Sequence, residues 1–309
     1  MPRSLKAHLL LVIVTFIWGS TFVLVKAALR DSSPLMLNAA RMILAGGLLG
    51  IYYRKHLSGI TRPAMVMGSS IGVFLFLGYA FQTTGLRLTT PSKSAFLTGG
   101  STVLVPLVML GLWRTRIPIW RAVGIGLAFV GLFLMTVPAG EQGLADFAKI
   151  NAGDVLTIAC ALAFAFQIVV LGRGSRRFPF EQMAVLQVAV AAVLTAMAAP
   201  VLEHPQFKLS ETVVLATLIT GVLGTAVAFT VQAWAQQFTP PTHAALIFTL
   251  EPVFAWLTSF VYSGERLGLR AGFGAFLILT GILLSELLGS VSRGEEEVAE
   301  AREQASPAG

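Results

Sequence analysis

Apolar residues run along this chain in blocks long enough to cross a lipid bilayer, and polar residues gather in the short gaps between them. A bilayer core about 30 Å thick takes roughly 20 residues of helix. On that measure the blocks predict ten spans, near 9–29, 34–53, 64–86, 91–112, 118–137, 153–172, 179–199, 211–236, 241–263 and 269–288. Pro34, Pro63, Pro91, Pro118, Pro179 and Pro241 stand at or close to span starts, where a missing backbone N–H costs little. The block at 9–29 follows Arg3 and Lys6 as a signal peptide would. It is too long for one and has no small-x-small cleavage site, so it reads as the first span.

Composition sharpens this picture. Of 309 residues, 55% are hydrophobic and 12% charged, with a mean hydropathy of +0.78. Soluble domains carry about 25% charged residues, so this chain lacks the polar surface that water demands and lipid has to replace it. The net charge of +7 sits in loops rather than on one face, which makes it a topology signal and excludes a nucleic-acid footprint. Of the 22 Lys and Arg, Lys26 and Arg41 lie within spans; thirteen fall on the side of the two termini and seven on the other. The bias predicts cytoplasmic termini in a bacterial inner (plasma) membrane. A single cysteine, Cys160, excludes an internal disulfide. His8, His56, His204 and His243 are too scattered along the chain to show metal-ligand spacing.

The chain also repeats itself. An offset of 150 pairs Thr89-Thr90-Pro91 with Thr239-Pro240-Pro241, then Ala95 with Ala245, Arg116 with Arg266, Gly124 with Gly274 and Gly131 with Gly281. The same offset pairs Gln82 with Gln232. Nearer the start of each half an offset of 146 sets Trp18 against Phe164 and Arg41 against Gln187. Five spans per copy is an odd number, so the second copy would sit inverted relative to the first, the usual construction of secondary transporters. The expected organisation is a first five-span repeat over 1–137, a periplasmic linker over 138–152, a second, inverted repeat over 153–288, and an acidic, mostly disordered cytoplasmic tail over 289–309.

Several segments carry a resemblance. Phe16-Ile17-Trp18-Gly19-Ser20-Thr21-Phe22, Ala40-Arg41-Met42, Leu250-Glu251-Pro252-Val253-Phe254-Ala255 and Gly264-Glu265-Arg266-Leu267, with Gly272, Gly274 and Gly281 beyond, resemble the EamA family of the drug/metabolite transporter superfamily. The likeness covers about 9–288. It implies an all-α bundle of ten transmembrane helices around a central cavity, exporting amino acids, metabolites or drugs. It names no solute. One departure is that the first-half counterpart of Glu251 is Ser101, so the halves differ chemically at that position.

Ionisable groups in hydrocarbon are costly and usually face a bundle interior or cavity. Glu251, followed by the helix-breaking Pro252, is the candidate for proton coupling or for binding a substrate amine; its bland alternative is a structural carboxylate. Arg41 could grip a substrate carboxylate, or hold a fixed ion pair with Glu251, or snorkel. Lys26 and Glu286 read as snorkelling groups and Asp154 as a helix cap. Trp18, Thr21, Asn38, Tyr79, Gln82, Thr98, Ser101, Gln167, Gln187 and Gln232 are candidate cavity-lining residues, each of which could equally be helix–helix glue. Pro106 is a second candidate helix break.

The expectation is therefore a secondary transporter, exporting a small polar metabolite by alternating access, with a lipid bilayer and a small solute as its partners. No cofactor, metal or nucleic acid is implied, and a monomer is compatible with the sequence. An intramembrane enzyme would need converging nucleophile and acid–base groups, and none shows in the spans. A receptor or scaffold would need larger loops.

Overall fold

The computed structural model describes residues 2–89, 91–114, 117–137, 144–145, 148–263 and 268–305. The Gly264–Leu267 motif, Arg116 and the acidic Glu141 lie outside the described residues, as does the side chain of Glu286. Only 144–145 and 148–152 of the expected linker are described.

The chain is helical nearly throughout. Its helices are α1 (Arg3–Ala28), α2 (Pro34–Tyr52), α3 (Arg62–Leu88), α4 (Pro91–Gly99), α5 (Ser101–Trp113) and α6 (Ile119–Thr136), then α7 (Ala152–Arg177), α8 (Phe180–Leu202), α9 (Glu211–Ala235), α10 (Pro241–Phe248), α11 (Glu251–Ser263) and α12 (Leu269–Ala305). Seven of them, α1, α2, α3, α6, α7, α8 and α9, are each long and apolar enough to cross a membrane, and Phe96–Leu112 and Leu269–Ser285 are shorter apolar stretches. Among the described residues the only β pairing is an isolated bridge between Ser32 and Phe207.

Polar side chains set the helix starts. Pro34 and Pro241 occupy first-turn positions. Thr61 caps α3 by accepting from the Ala64 N–H, and Ser210 caps α9 by accepting from that of Val213. Asn151 and Asp154 form a reciprocal capping box at the start of α7, the role read for Asp154 from its position. The backbone of α12 is helical to Ala305. Glu, Ala and Arg are strong helix formers, and here they continue the helix begun by the apolar stretch.

Large apolar side chains such as Ile51, Val66, Met197 and Val261 face outward. That surface suits lipid and not water. Inside, small residues bring backbones together. A Cβ on Gly131 would stand 2.4 Å from the Gly274 carbonyl, and one on Gly281 would stand 2.4 Å from that of Gly124. The repeat pairs 124 with 274 and 131 with 281, so each glycine of α6 touches the counterpart of the other glycine in α12.

Two helical runs are interrupted at the same register. α4 gives way to α5 at Gly100, and α10 to α11 across Thr249 and Leu250; Gly100 and Leu250 are 150 apart. In the second half Thr249 N–H and Leu250 N–H bond to Leu246 and Ile247, three residues back, tightening the turn. Pro252 follows directly in α11. Pro106 does not break its helix: α5 runs through it, and the interruption falls six residues earlier, at the Gly99-Gly100 pair.

Outside the helices, the α1–α2 and α8–α9 connections are fastened together. Ser33 N–H bonds to the Gln206 carbonyl at 2.8 Å and Lys208 N–H to that of Asp31 at 3.0 Å. The Glu203 carboxylate accepts from Ser33 Oγ at 2.6 Å and from the N–H groups of Leu35 and Met36, at the unsatisfied N-terminus of α2.

Candidate functional site

A cavity lies among α1, α2, α3, α4, α5, α7, α9, α10 and α11. It extends towards the ends of α1 and α3 at Val25 and Leu86. Away from those ends Leu11, Val105, Ala165, Val169, Ala244, Ala245 and Ile247 form a buried apolar cluster. His8 and His243, far apart in sequence, meet beside it with ring centroids 4.6 Å apart and ring planes tilted by 37°.

The interruption in α10–α11 places Glu251 on the cavity wall beside Pro252. Among the described residues the Glu251 carboxylate makes no hydrogen bond or ion pair. Close approach of α1 holds it there: a Cβ on Gly19 would lie 2.6 Å from the Glu251 carbonyl and 2.9 Å from the Ala255 nitrogen. Only a glycine at that position lets the two helices meet.

Arg41 enters from α2 and is 95% buried, with a relative exposure of 5%. It donates from Nε and Nη2 to Thr225 Oγ1 at 3.2 and 3.0 Å, and from Nη2 to the Tyr79 hydroxyl at 3.3 Å. Its guanidinium also lies 4.4 Å from the Tyr79 ring centroid. No ion pair joins it to Glu251 among the described residues, and it has not snorkelled. Of the three alternatives for Arg41, the fixed pair with Glu251 is therefore not formed among the described residues.

Trp18, Thr21, Tyr79, Gln82, Thr98, Ser101, Gln167 and Gln232 all line the same cavity with Arg41 and Glu251. Two further candidates stand behind it. Asn38 is buried between α2 and α3, donating to the Tyr79 carbonyl and Thr83 Oγ1. Gln187 is fully buried and accepts from Gln167 Nε2 at 3.0 Å, while Gln167 and Gln232 exchange amide contacts at 3.3–3.4 Å. Lys26 is exposed near the end of α1. Among the described residues no three metal-ligating side chains gather.

Among the contributors that sequence reasoning missed, three bear most on the chemistry. Phe229 and Phe248 line the cavity; they are the 150-offset counterparts of Tyr79 and Thr98, so running each candidate through the repeat would have found them. The third is a π-helical segment, Val222–Val227, inside α9. It presents the Gly224 carbonyl to Trp18 Nε1 at 2.8 Å and Thr225 to Arg41. Its one sequence trace is the Gly221/Gly224 pair, which reads equally well as ordinary close packing.

The repeat also shows how the walls differ. Position for position, the first half supplies Arg41, Tyr79, Thr98 and Ser101 where the second has Gln187, Phe229, Phe248 and Glu251. The first half thus contributes the cation and the hydroxyls of the lining, and the second half its acid and three phenylalanines, Phe164, Phe229 and Phe248.

The family model for the EamA-like transporter family matches this chain twice, over residues 5–137 and 151–287. An uncharacterised transporter of Archaeoglobus fulgidus is 35% identical over 285 residues, covering 92% of this chain and 87% of its own length. A S-adenosylmethionine/S-adenosylhomocysteine transporter of Chlamydia trachomatis is 26% identical over 211 residues, covering 65% of this chain and 64% of the relative. A solved crystal structure aligns with a TM-score of 0.75 at 19% identity, covering 92% of this chain and 99% of the other; that likeness concerns the fold. By the double match and the extent of the likeness to its relatives, the chain belongs to the EamA-like transporter family, within the drug/metabolite transporter superfamily.

Proposed function

We propose that this membrane transporter exports a small zwitterionic metabolite, an amino acid or a related solute, by alternating access between two inverted five-helix repeats. One observation carries the reading: Arg41 and Glu251, from opposite halves, line one cavity and are not paired with each other. Arg41 Nη1 and the Glu251 carboxylate have no protein partner among the described residues, so a carboxylate and an ammonium could each find a match. Charged groups this deep are otherwise costly.

Adding α4–α5, α10–α11 and α12 to the seven long helices supports a count of ten spans. The paired interruptions at Gly100 and Leu250 and the exchanging glycine contacts support the inverted arrangement. With both termini cytoplasmic, the cavity faces outward, and the apolar cluster around Leu11 and Ala245 closes the inner side. Trp18, Phe164, Phe229 and Phe248 add an aromatic wall. Such a wall suits a solute with an apolar or aromatic body, and S-adenosylmethionine, named for one relative, joins an amino-acid head to an aromatic base.

If export is coupled to protons, Glu251 carries them. Counterflow in proteoliposomes with an imposed pH gradient tests this. Glu251→Gln is expected to keep exchange but lose its response to the gradient; an unchanged response removes the coupling role.

A further inference from the structure

The wall that holds Arg41 is built on an irregular piece of helix. Over Val222–Val227 α9 widens into a π turn, a form that is rare and recurs at functional sites. The Thr225 hydroxyl is fully used there. Its hydrogen goes to the Thr220 carbonyl, five residues back, at 2.8 Å. Its two lone pairs accept Nε and Nη2 of Arg41. One residue earlier, the Gly224 carbonyl takes the Trp18 indole N–H. Three helices, α1, α2 and α9, are thus tied together through two adjacent residues of the bulge. The same contacts leave Nη1 as the part of the guanidinium without a protein partner among the described residues.

We infer that Thr225 on the π turn is a positioning residue: it fixes the Arg41 fork so that Nη1 faces the cavity and selects solutes that carry a carboxylate. A regular α-turn would rotate residue 225 by about 100° about the helix axis, and the guanidinium would keep only its contact with Tyr79 and lose the acceptor that takes both Nε and Nη2. The inference rests on the proposed zwitterion reading, and it adds the device that sets the specificity.

The test compares wild type, Thr225→Val and Thr225→Ser in proteoliposome counterflow, using a neutral amino acid and its carboxamide. Valine keeps the shape and removes both acceptor and donor; serine keeps the hydroxyl. The expected result is a rise of about tenfold in KM for the amino acid in Thr225→Val with Vmax unchanged, wild-type behaviour in Thr225→Ser, and no effect on the carboxamide. An unchanged KM, or an equal loss for acid and amide, overturns the inference. Wild-type protein that exchanges no amino acid contradicts the zwitterion reading instead. The Arg41 Nε–H resonance in ¹⁵N-labelled protein then decides the positioning role: protected from exchange in wild type and Thr225→Ser but not in Thr225→Val supports it, and equal protection in all three overturns it.

Discussion

Arg41 shows how much one side chain depends on its neighbours. It is buried in a chain that has lipid on its outer face, yet its charge is held by two hydroxyls and an aromatic ring and not by a carboxylate. Lysine lacks the fork that spans Thr225 and Tyr79. Arg41→Lys is accordingly expected to raise KM for a zwitterion by about tenfold, the scale of one hydrogen bond to a charged group, in counterflow assays. Gly19 is governed by space. Valine there would drive its side chain into the Glu251 carbonyl and the Ala255 nitrogen, and overpacking of this kind costs about 1–3 kcal/mol. Gly19→Val should lower the thermal midpoint in detergent, and an unchanged midpoint would mean that α1 and α11 are not packed as described. Arg41 and Glu251 were legible in the sequence because charge inside an apolar block is conspicuous. Thr225 was not, because a threonine in a membrane helix has many ordinary uses and a π turn has no residue signature of its own.

At the scale of the element, the helix starts could be read from Pro, Thr and Ser, since capping is local chemistry. The interruptions could be read only in part. Pro252 marks one, but Pro106 lies inside a continuous helix, and two adjacent glycines provide the matching discontinuity at Gly100. A missing N–H is tolerated when neighbouring helices hold the turn, so proline alone does not locate a break in a membrane helix. The α2 N-terminus depends on a residue 170 positions from Ser33 in sequence, which no local rule could anticipate. Removing that cap by Glu203→Ala should destabilise the protein by about 1–2 kcal/mol, seen as a lower thermal midpoint, while leaving KM near the wild-type value. A raised KM at unchanged stability would instead place Glu203 in the transport path.

For the whole molecule, the internal repeat was the most informative feature of the sequence, because it concerns the relation between distant segments that local patterns leave open. The offset relates residues that the cavity brings together: Tyr79 with Phe229, Gln82 with Gln232 and Ser101 with Glu251. It did not reveal the meeting of His8 with His243, which depends on how α1 crosses α10. Orientation is testable by labelling single cysteines in a Cys160→Ser background. A cysteine at Ser210 should react with an impermeant maleimide from outside intact cells, and one at Ser58 only after permeabilisation. The opposite pattern would invert the topology and with it the direction in which the cavity opens.

On the proposed function, Arg41 and Glu251 receive the two charges of one solute in the shared cavity. Counterflow of a zwitterionic amino acid by purified wild type, Arg41→Gln and Glu251→Gln tests this most directly. Saturable exchange by wild type, with KM raised at least tenfold in Arg41→Gln and weakened binding in Glu251→Gln, is the predicted result. Exchange of the zwitterion with the same KM in all three proteins would contradict it.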